Sequence, residues 1–124
     1  MIDFKNSSFV KMKLVDYRTY SALLAPFLLD DEKIIATFQA MRDGVVFTDS
    51  RIIAINVQGL TGNKKDFTSL CYSKIQAFSI ETAGFLDNDS ELELWFSGLG
   101  KVKFEFTRGT NIASICKLIS EKVI

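Results

Sequence analysis

Near its end the chain alternates strictly between apolar and polar positions. From Glu91 to Ser97, Leu92, Leu94 and Phe96 alternate with Glu91, Glu93 and Trp95, and from Lys101 to Thr107, Val102, Phe104 and Phe106 alternate with Lys101, Lys103 and Glu105. A period of two marks a strand buried on one face, so the runs predict a β-hairpin around Gly98-Leu99-Gly100. Beyond Gly109 the period lengthens to that of a helix. Thr110 can cap a segment to Val123 in which Ile112, Ile115, Cys116, Ile119 and Val123 share one face.

The same reading predicts seven strands, over about 33–42, 45–48, 51–57, 64–71, 76–83, 90–97 and 101–107. Between them, Arg42-Asp43-Gly44, Asp49-Ser50, 58–63 and 84–89 carry turn-forming residues. Residues 1–30 differ in texture. Val15, Tyr20, Leu23, Leu24, Phe27 and Leu28 recur near helical spacing, with Asp16 or Ser21 as local caps and Pro26 as a kink. A helical arm, 1–30, is therefore expected ahead of a mainly β domain, 31–124, closed by one C-terminal helix.

Parity constrains the hairpin. Holding both apolar sets on one face around a Gly98–Gly100 loop pairs Phe96 with Val102, Leu94 with Phe104 and Leu92 with Phe106. Glu93 then faces Glu105, at a cost of up to about 1 kcal/mol. A one-residue slip would expose several large apolar groups at roughly 1.5–3 kcal/mol each, so the apolar face dominates. Trp95 is expected opposite Lys103 on the outer side, where the ring covers the lysine stem or accepts its ammonium.

Composition narrows the chemistry. The 124 residues suit one domain, and eleven Phe, three Tyr and one Trp with a single Pro exclude disorder over most of the length. Fifteen basic and fifteen acidic side chains cancel, leaving no field to hold a nucleic-acid backbone. The longest apolar stretch, Ala22–Leu29, contains Pro26 and is far too short to span a bilayer. With no secretory signal and two distant cysteines, a cytoplasmic location with both thiols reduced is expected.

There is no histidine. Ser/His/Asp and Cys/His nucleophiles, His-ligated metals and the commonest neutral-pH base are therefore excluded. Cys71 and Cys116 are too far apart in sequence for a zinc clamp and read as packed thiols, Cys116 on the apolar stripe of the helix. Asp87, Asp89 and Glu91 lack the glycine and distant glutamate of a calcium loop and read as a solvated turn. Gly98-Leu99-Gly100-Lys101 lies between strands and reads as a turn, not a phosphate loop. No catalytic residue, cofactor or metal is expected.

Several segments resemble the bacterial pleckstrin-homology (PH) family: FTDSRII at 47–53, KIQAFSIETAG at 74–84, SELELWFSG at 90–98 and KFEFTRGTNI at 103–112, with LLAPFLLDDEKIIATF at 23–38 similar to the family's leading segment. The resemblance spans roughly residues 30–123. It implies a PH-like bent barrel of seven antiparallel strands, with one end plugged by the helix from Thr110 to Val123. It also implies a non-catalytic module of a family whose members form rings and other homo-oligomers. Eukaryotic relatives that bind inositol phosphates gather several Lys and Arg around the loop joining their first two strands. Here that loop is Arg42-Asp43-Gly44, and Lys64 and Lys65 begin another strand, so Arg42, Lys64 and Lys65 are weak anion contacts only.

The functional expectation is a binding or scaffold module that self-associates through an apolar outer surface and the N-terminal arm. Ile35, Met41, Trp95 and Lys103, with Leu24 and Phe27 of the arm, are the candidate surface. The expected partner is a second copy of the chain or another protein. The bland alternative folds the arm back over its own sheet. Recruitment to a membrane surface or an anionic ligand stands second, and an enzyme using Cys71 or the acidic trio a distant third.

Overall fold

The alternating segments all form strands, and one further strand joins them. In the computed structural model, which describes residues 1–5, 9–84 and 89–123, β1 (Lys13–Val15) precedes α1 (Arg18–Leu24). An antiparallel meander follows, of β2 (Ile34–Gln39), β3 (Gly44–Thr48), β4 (Arg51–Gln58) and β5 (Lys64–Cys71), with sheet order β1-β2-β3-β4-β5. After a 3-10 turn at Tyr72–Lys74, β6 (Ile75–Glu81), β7 (Ser90–Phe96) and β8 (Gly100–Phe106) make a three-stranded antiparallel sheet. α2 (Ile112–Val123) packs back against the Tyr72–Lys74 turn and β6.

The inner faces of both sheets meet in one core. Leu92, Leu94, Phe96, Val102, Phe104 and Phe106 enter it from the small sheet, and Phe38, Val45, Phe47, Ile52, Ala54 and Leu70 from the large one. The Phe38 ring meets Phe106 at 4.8 Å and Phe47 edge-on at 5.9 Å. Each such ring removed from water contributes roughly 1.5–3 kcal/mol. Ile115 and Ile119 of α2 close the same core. The helix is capped one residue later than expected: Asn111 Oδ1 accepts the Ser114 amide at 3.2 Å, so Asn111 takes the role assigned to Thr110.

The hairpin register differs from the expected one by two residues. Leu92 faces Phe104, Leu94 faces Val102, Glu93 faces Lys103 and Trp95 faces Lys101. A shift of two leaves every side chain on its own face, so burial cannot choose between the registers. Turn geometry and charge can. The chain reverses over Ser97–Leu99, with Gly98 inside the turn and Gly100 opening β8, both at positive φ (84° and 91°), and Glu93 gains a lysine neighbour while Glu105 moves opposite Glu91.

Residues before β1 close the seam between the sheets. The Phe9 carbonyl accepts the Glu105 amide at 2.9 Å, the Met12 amide donates to the Glu105 carbonyl at 2.9 Å, and the Thr107 amide reaches the Met12 carbonyl at 3.0 Å. From Lys13 the chain pairs with β2 instead. Lys11, the only non-glycine at positive φ (51°) among the described residues, marks the change of partner. Ile2, Phe9 and Met12 are buried in the main core, so the first residues are part of the shell and not only a helical arm.

α1 lies on the outer face of the large sheet. Tyr20 and Leu24 form a second apolar cluster with Val46, Ile53 and Ile55. This explains why β3 and β4 read as continuous apolar runs: both of their faces are covered. The arm thus folds back on its own subunit. It is fastened there by Glu32, whose fully buried carboxylate accepts Arg51 Nη2 at 2.8 Å, Arg51 Nε at 3.0 Å, the Thr48 hydroxyl at 2.6 Å and the Leu29 amide at 3.0 Å. Arg51 also donates to the Phe27 carbonyl at 2.8 Å.

Candidate functional site

The small sheet's outer face is written by its register. Three cross-strand rows run over β6, β7 and β8: Ala77-Trp95-Lys101, then Ser79-Glu93-Lys103, then Glu81-Glu91-Glu105. One end is therefore aromatic and cationic and the other carboxylate only. Trp95 remains 50% exposed. Lys103 Nζ reaches diagonally to Glu91 at 3.1 Å, and Lys101 Nζ lies 3.8 Å from Glu93. Opposed like charges destabilise a sheet, and Glu105 records this. Burial first, then a hydrogen bond with Asp89 and the charge of Glu91, push its carboxyl above the usual range.

A second grouping sits at the turns of the large sheet. Met41, at the β2–β3 turn, is 97% exposed and shares a cleft with the half-exposed Val10, and Leu60 at the β4–β5 turn is fully exposed. Arg42 Nη2 donates to the Gly59 carbonyl and ties the turns together, while Lys65 Nζ donates to the Gly62 carbonyl at 2.9 Å. Asp43 is turned inward, accepting Asn56 Nδ2 and the Val57 amide, each at 3.1 Å. Two of the three anticipated anion contacts are thus bonded to backbone carbonyls, and Lys64 stays exposed at the start of β5.

The remaining candidates scatter. Ile35 is exposed on β2, far along the strand from the Met41 turn. Leu24 is wholly buried under α1 and presents no surface. Phe27 is half exposed and meets the Phe67 ring at a 38° tilt, with centroids 4.9 Å apart. Sequence reading missed Leu14, Val10 and Leu60, which are single apolar residues in short segments without periodicity.

The expected packed thiols need correction: Cys71 is exposed and Cys116 half buried, both free. Cys71 is the last residue of edge strand β5 and points away from the core, and the helix stripe that Cys116 shares is covered only at its centre. Asp87 lies outside the described residues. Among the described residues no group of three or more Cys, Asp or Glu is arranged to hold a metal ion, and no helix is long and apolar enough to cross a membrane.

The model of the family described as "Bacterial PH domain" matches residues 3–123, reaching well into the N-terminal region. The chain belongs to the bacterial PH domain family. It is 46% identical over 99 residues to uncharacterized protein YjqA of Bacillus subtilis strain 168, covering 78% of this chain and 79% of that one. Its fold is similar to a crystal structure of a Shewanella loihica PV-4 protein with a pleckstrin-homology domain: 34% identity, TM-score 0.81, 93% of this chain and 99% of the other. A pleckstrin-homology domain from Shewanella amazonensis SB2B shares 40% identity at a TM-score of 0.67, covering 89% and 90%. In this bacterial PH domain the match from residue 3 agrees with the structural role of Phe9 and Met12 in closing the shell.

Proposed function

We propose that this bacterial PH domain is a non-catalytic binding module that self-associates, and that the outer face of the β6-β7-β8 sheet is the contact. One observation carries the reading. α1 covers the outer face of the large sheet, whereas no described helix lies over the small one, which keeps a half-exposed tryptophan and three rows of polarised charge. A two-fold axis through such a face places the Glu81-Glu91-Glu105 row of one copy over the Trp95 and Lys101 row of the other. Electrostatic complementarity then sets orientation, and the buried indole supplies affinity. The Glu105 carboxylate, disfavoured in one protomer, is compensated in the pair.

Sedimentation velocity across a concentration series tests this. The wild type should pass from monomer to dimer or higher at micromolar concentration, Trp95→Glu should remain monomeric, and Lys101→Glu should weaken association while Lys101→Glu with Glu91→Lys restores part of it. Trp95 is the sole tryptophan, so its emission should shift blue on association. A strictly monomeric wild type at every concentration would eliminate the proposal.

The second reading is contact with an anionic membrane surface through the turns. Met41 and Val10 share a cleft with Lys11 and Arg42, and the fully exposed Leu60 lies on the β4–β5 turn, to which Arg42 is bonded and which leads into Lys64 and Lys65. Flotation with phosphatidylglycerol vesicles at low salt tests it, and Met41→Asp with Leu60→Asp should abolish the bound fraction.

A further inference from the structure

The outer edge of the small sheet is left unpaired. The Glu105 amide and carbonyl bond to Phe9 and Met12, so in β8 they point away from β7. Backbone groups alternate in direction along an antiparallel strand, and the count carries across the sheet. Phe104 and Phe106 then bond to Leu92 and Ser90, which turns Glu91 and Glu93 toward β6, where they bond to Glu81 and Ser79. Phe78 and Ile80 are left with their N–H and C=O directed out of the sheet, of which β6 is an edge strand. Among the described residues neither has a backbone partner on that side.

Open edges usually carry lysine, proline or a covering element, because a free row of backbone groups recruits another strand. β5, the outer strand of the large sheet, begins with Lys64 and Lys65. β6 has no such guard. Its stretch Gln76-Ala77-Phe78-Ser79-Ile80 is uncharged, and its pairing shifts register at the start, between Ile75 and Ala77, and is regular to Glu81. The side chains of Phe78 and Ile80 pack on the core yet stay half buried, as do Leu118 and Val123 of α2, the helix that packs against β6. An added strand with apolar residues opposite Phe78 and Ile80 would complete their burial.

Glu81 sets the remaining requirement. It is exposed at the end of the outer row Glu81-Glu91-Glu105. Lys103 pairs with Glu91, and Glu81 has no ion pair among the described residues, which include every Lys and Arg of the chain. A cation opposite Glu81 on the added strand would complement it. A second β6 has only Ala77, Ser79 or Glu81 to offer on this face, and no cation.

We infer that the open edge of β6 binds an extended peptide of another protein as an antiparallel fourth strand of the small sheet, with apolar residues opposite Phe78 and Ile80 and a lysine or arginine opposite Glu81. From its N-terminus such a peptide reads as a cation, an apolar residue, any residue and a second apolar residue. Main-chain bonds to Phe78 and Ile80 supply affinity, and the alternate side chains supply selectivity. The edge is separate from the exposed Trp95 ring and from the Met41 turn.

Titration of the full chain with the end-blocked hexapeptide SKVTVS, followed by amide chemical shifts and hydrogen exchange, tests it. In the free protein the Phe78 and Ile80 amides should exchange openly while those of Ser79 and Glu81, bonded to β7, are protected. The peptide should move the Phe78 and Ile80 amides downfield and slow their exchange. N-methylation of both valines, whose amides face β6, should abolish binding, whereas N-methylation of the lysine and threonine, whose amides face away, should leave it nearly unchanged. SEVTVS should bind about five-fold more weakly than SKVTVS, and Glu81→Lys should reverse that preference. No shift at Phe78 and Ile80 with millimolar peptide would overturn the inference, as would equal binding of the two N-methylated peptides or of SEVTVS and SKVTVS. Protection of Phe78 and Ile80 that grows with protein concentration in the absence of peptide would assign the edge to a second copy and also overturn it. These readings come from the β6 amides and those of self-association from Trp95, so either proposal can fail alone.

Discussion

Glu32 and Arg51, nineteen residues apart in sequence, meet in a two-pronged ion pair at 2.8 and 3.0 Å, and the carboxylate is fully shielded from solvent while the guanidinium is about a quarter exposed. The pair joins the segment after α1 to β4, and so holds the arm on the sheet it covers. Removing only the cation strands a buried anion. Arg51→Met should therefore cost about 3–5 kcal/mol, read as a lowered urea midpoint with an unchanged slope. The double change Glu32→Leu with Arg51→Met should recover much of that loss, because two apolar groups replace two desolvated charges.

The same carboxylate gives the fold an acid limb. Burial alone would raise Glu32, but hydrogen bonds from Arg51, Thr48 and the Leu29 amide hold it down, from the ordinary 4.5 to about 2. A folded-state value below the unfolded one means stability that is complete above pH 4.5 and lost as pH falls toward 2. The amount is of order 3 kcal/mol. Thermal melts of the wild type and Glu32→Gln should differ most at neutral pH and converge near pH 2. A constant difference across that range would remove Glu32 from the acid limb.

Glu105 works in the opposite sense. Its carboxyl is raised by burial, Asp89 and Glu91, so its contribution is present at low pH and is lost as pH rises through its folded value. Glu105→Gln should stabilise the monomer at pH 7 by a few tenths to about 1 kcal/mol, the range of an opposed like-charge pair. Under the proposed contact it should also weaken self-association. Stability gained and association lost in one variant would mark the glutamate row as kept for binding. Calorimetry and sedimentation on the same preparation give both numbers.

Much of this fold is legible in the chain because period and burial are coupled. Phe104 and Phe106 go inside wherever the hairpin is placed, and β3 and β4 match, to within one residue at an end, two of the segments expected as strands, at 45–48 and 51–57. The hairpin register was not legible, since shifts of two preserve every face and only the Gly98–Gly100 turn and the Glu93–Lys103 neighbours decide. Nor was the seam. Phe9 and Met12 carry no period over so short a span, and their burial depends on β8, more than ninety residues away. Among surface candidates, Trp95 could be placed outside by parity, whereas Leu24 was misplaced because helical spacing does not reveal which sheet lies beneath.

How closely α1 docks is set at Gly44. A Cβ built there would lie 2.5 Å from Cε2 and the hydroxyl of Tyr20 and 2.6 Å from Cζ, so the ring occupies the space any side chain would need. Tyr20 is nearly buried and covers Val46, Ile53 and Ile55, and it cannot retreat without exposing them. Gly44→Ala should therefore cost about 1–3 kcal/mol, the range for overpacking a tight core. Tyr20→Leu removes the clashing atoms and loses part of the cover. The double variant should then be more stable than the sum of the single losses allows, with a coupling of about 0.5–3 kcal/mol in a double-mutant cycle. Strict additivity would show that the Gly44 cost arises in the strand itself and not from the helix above it.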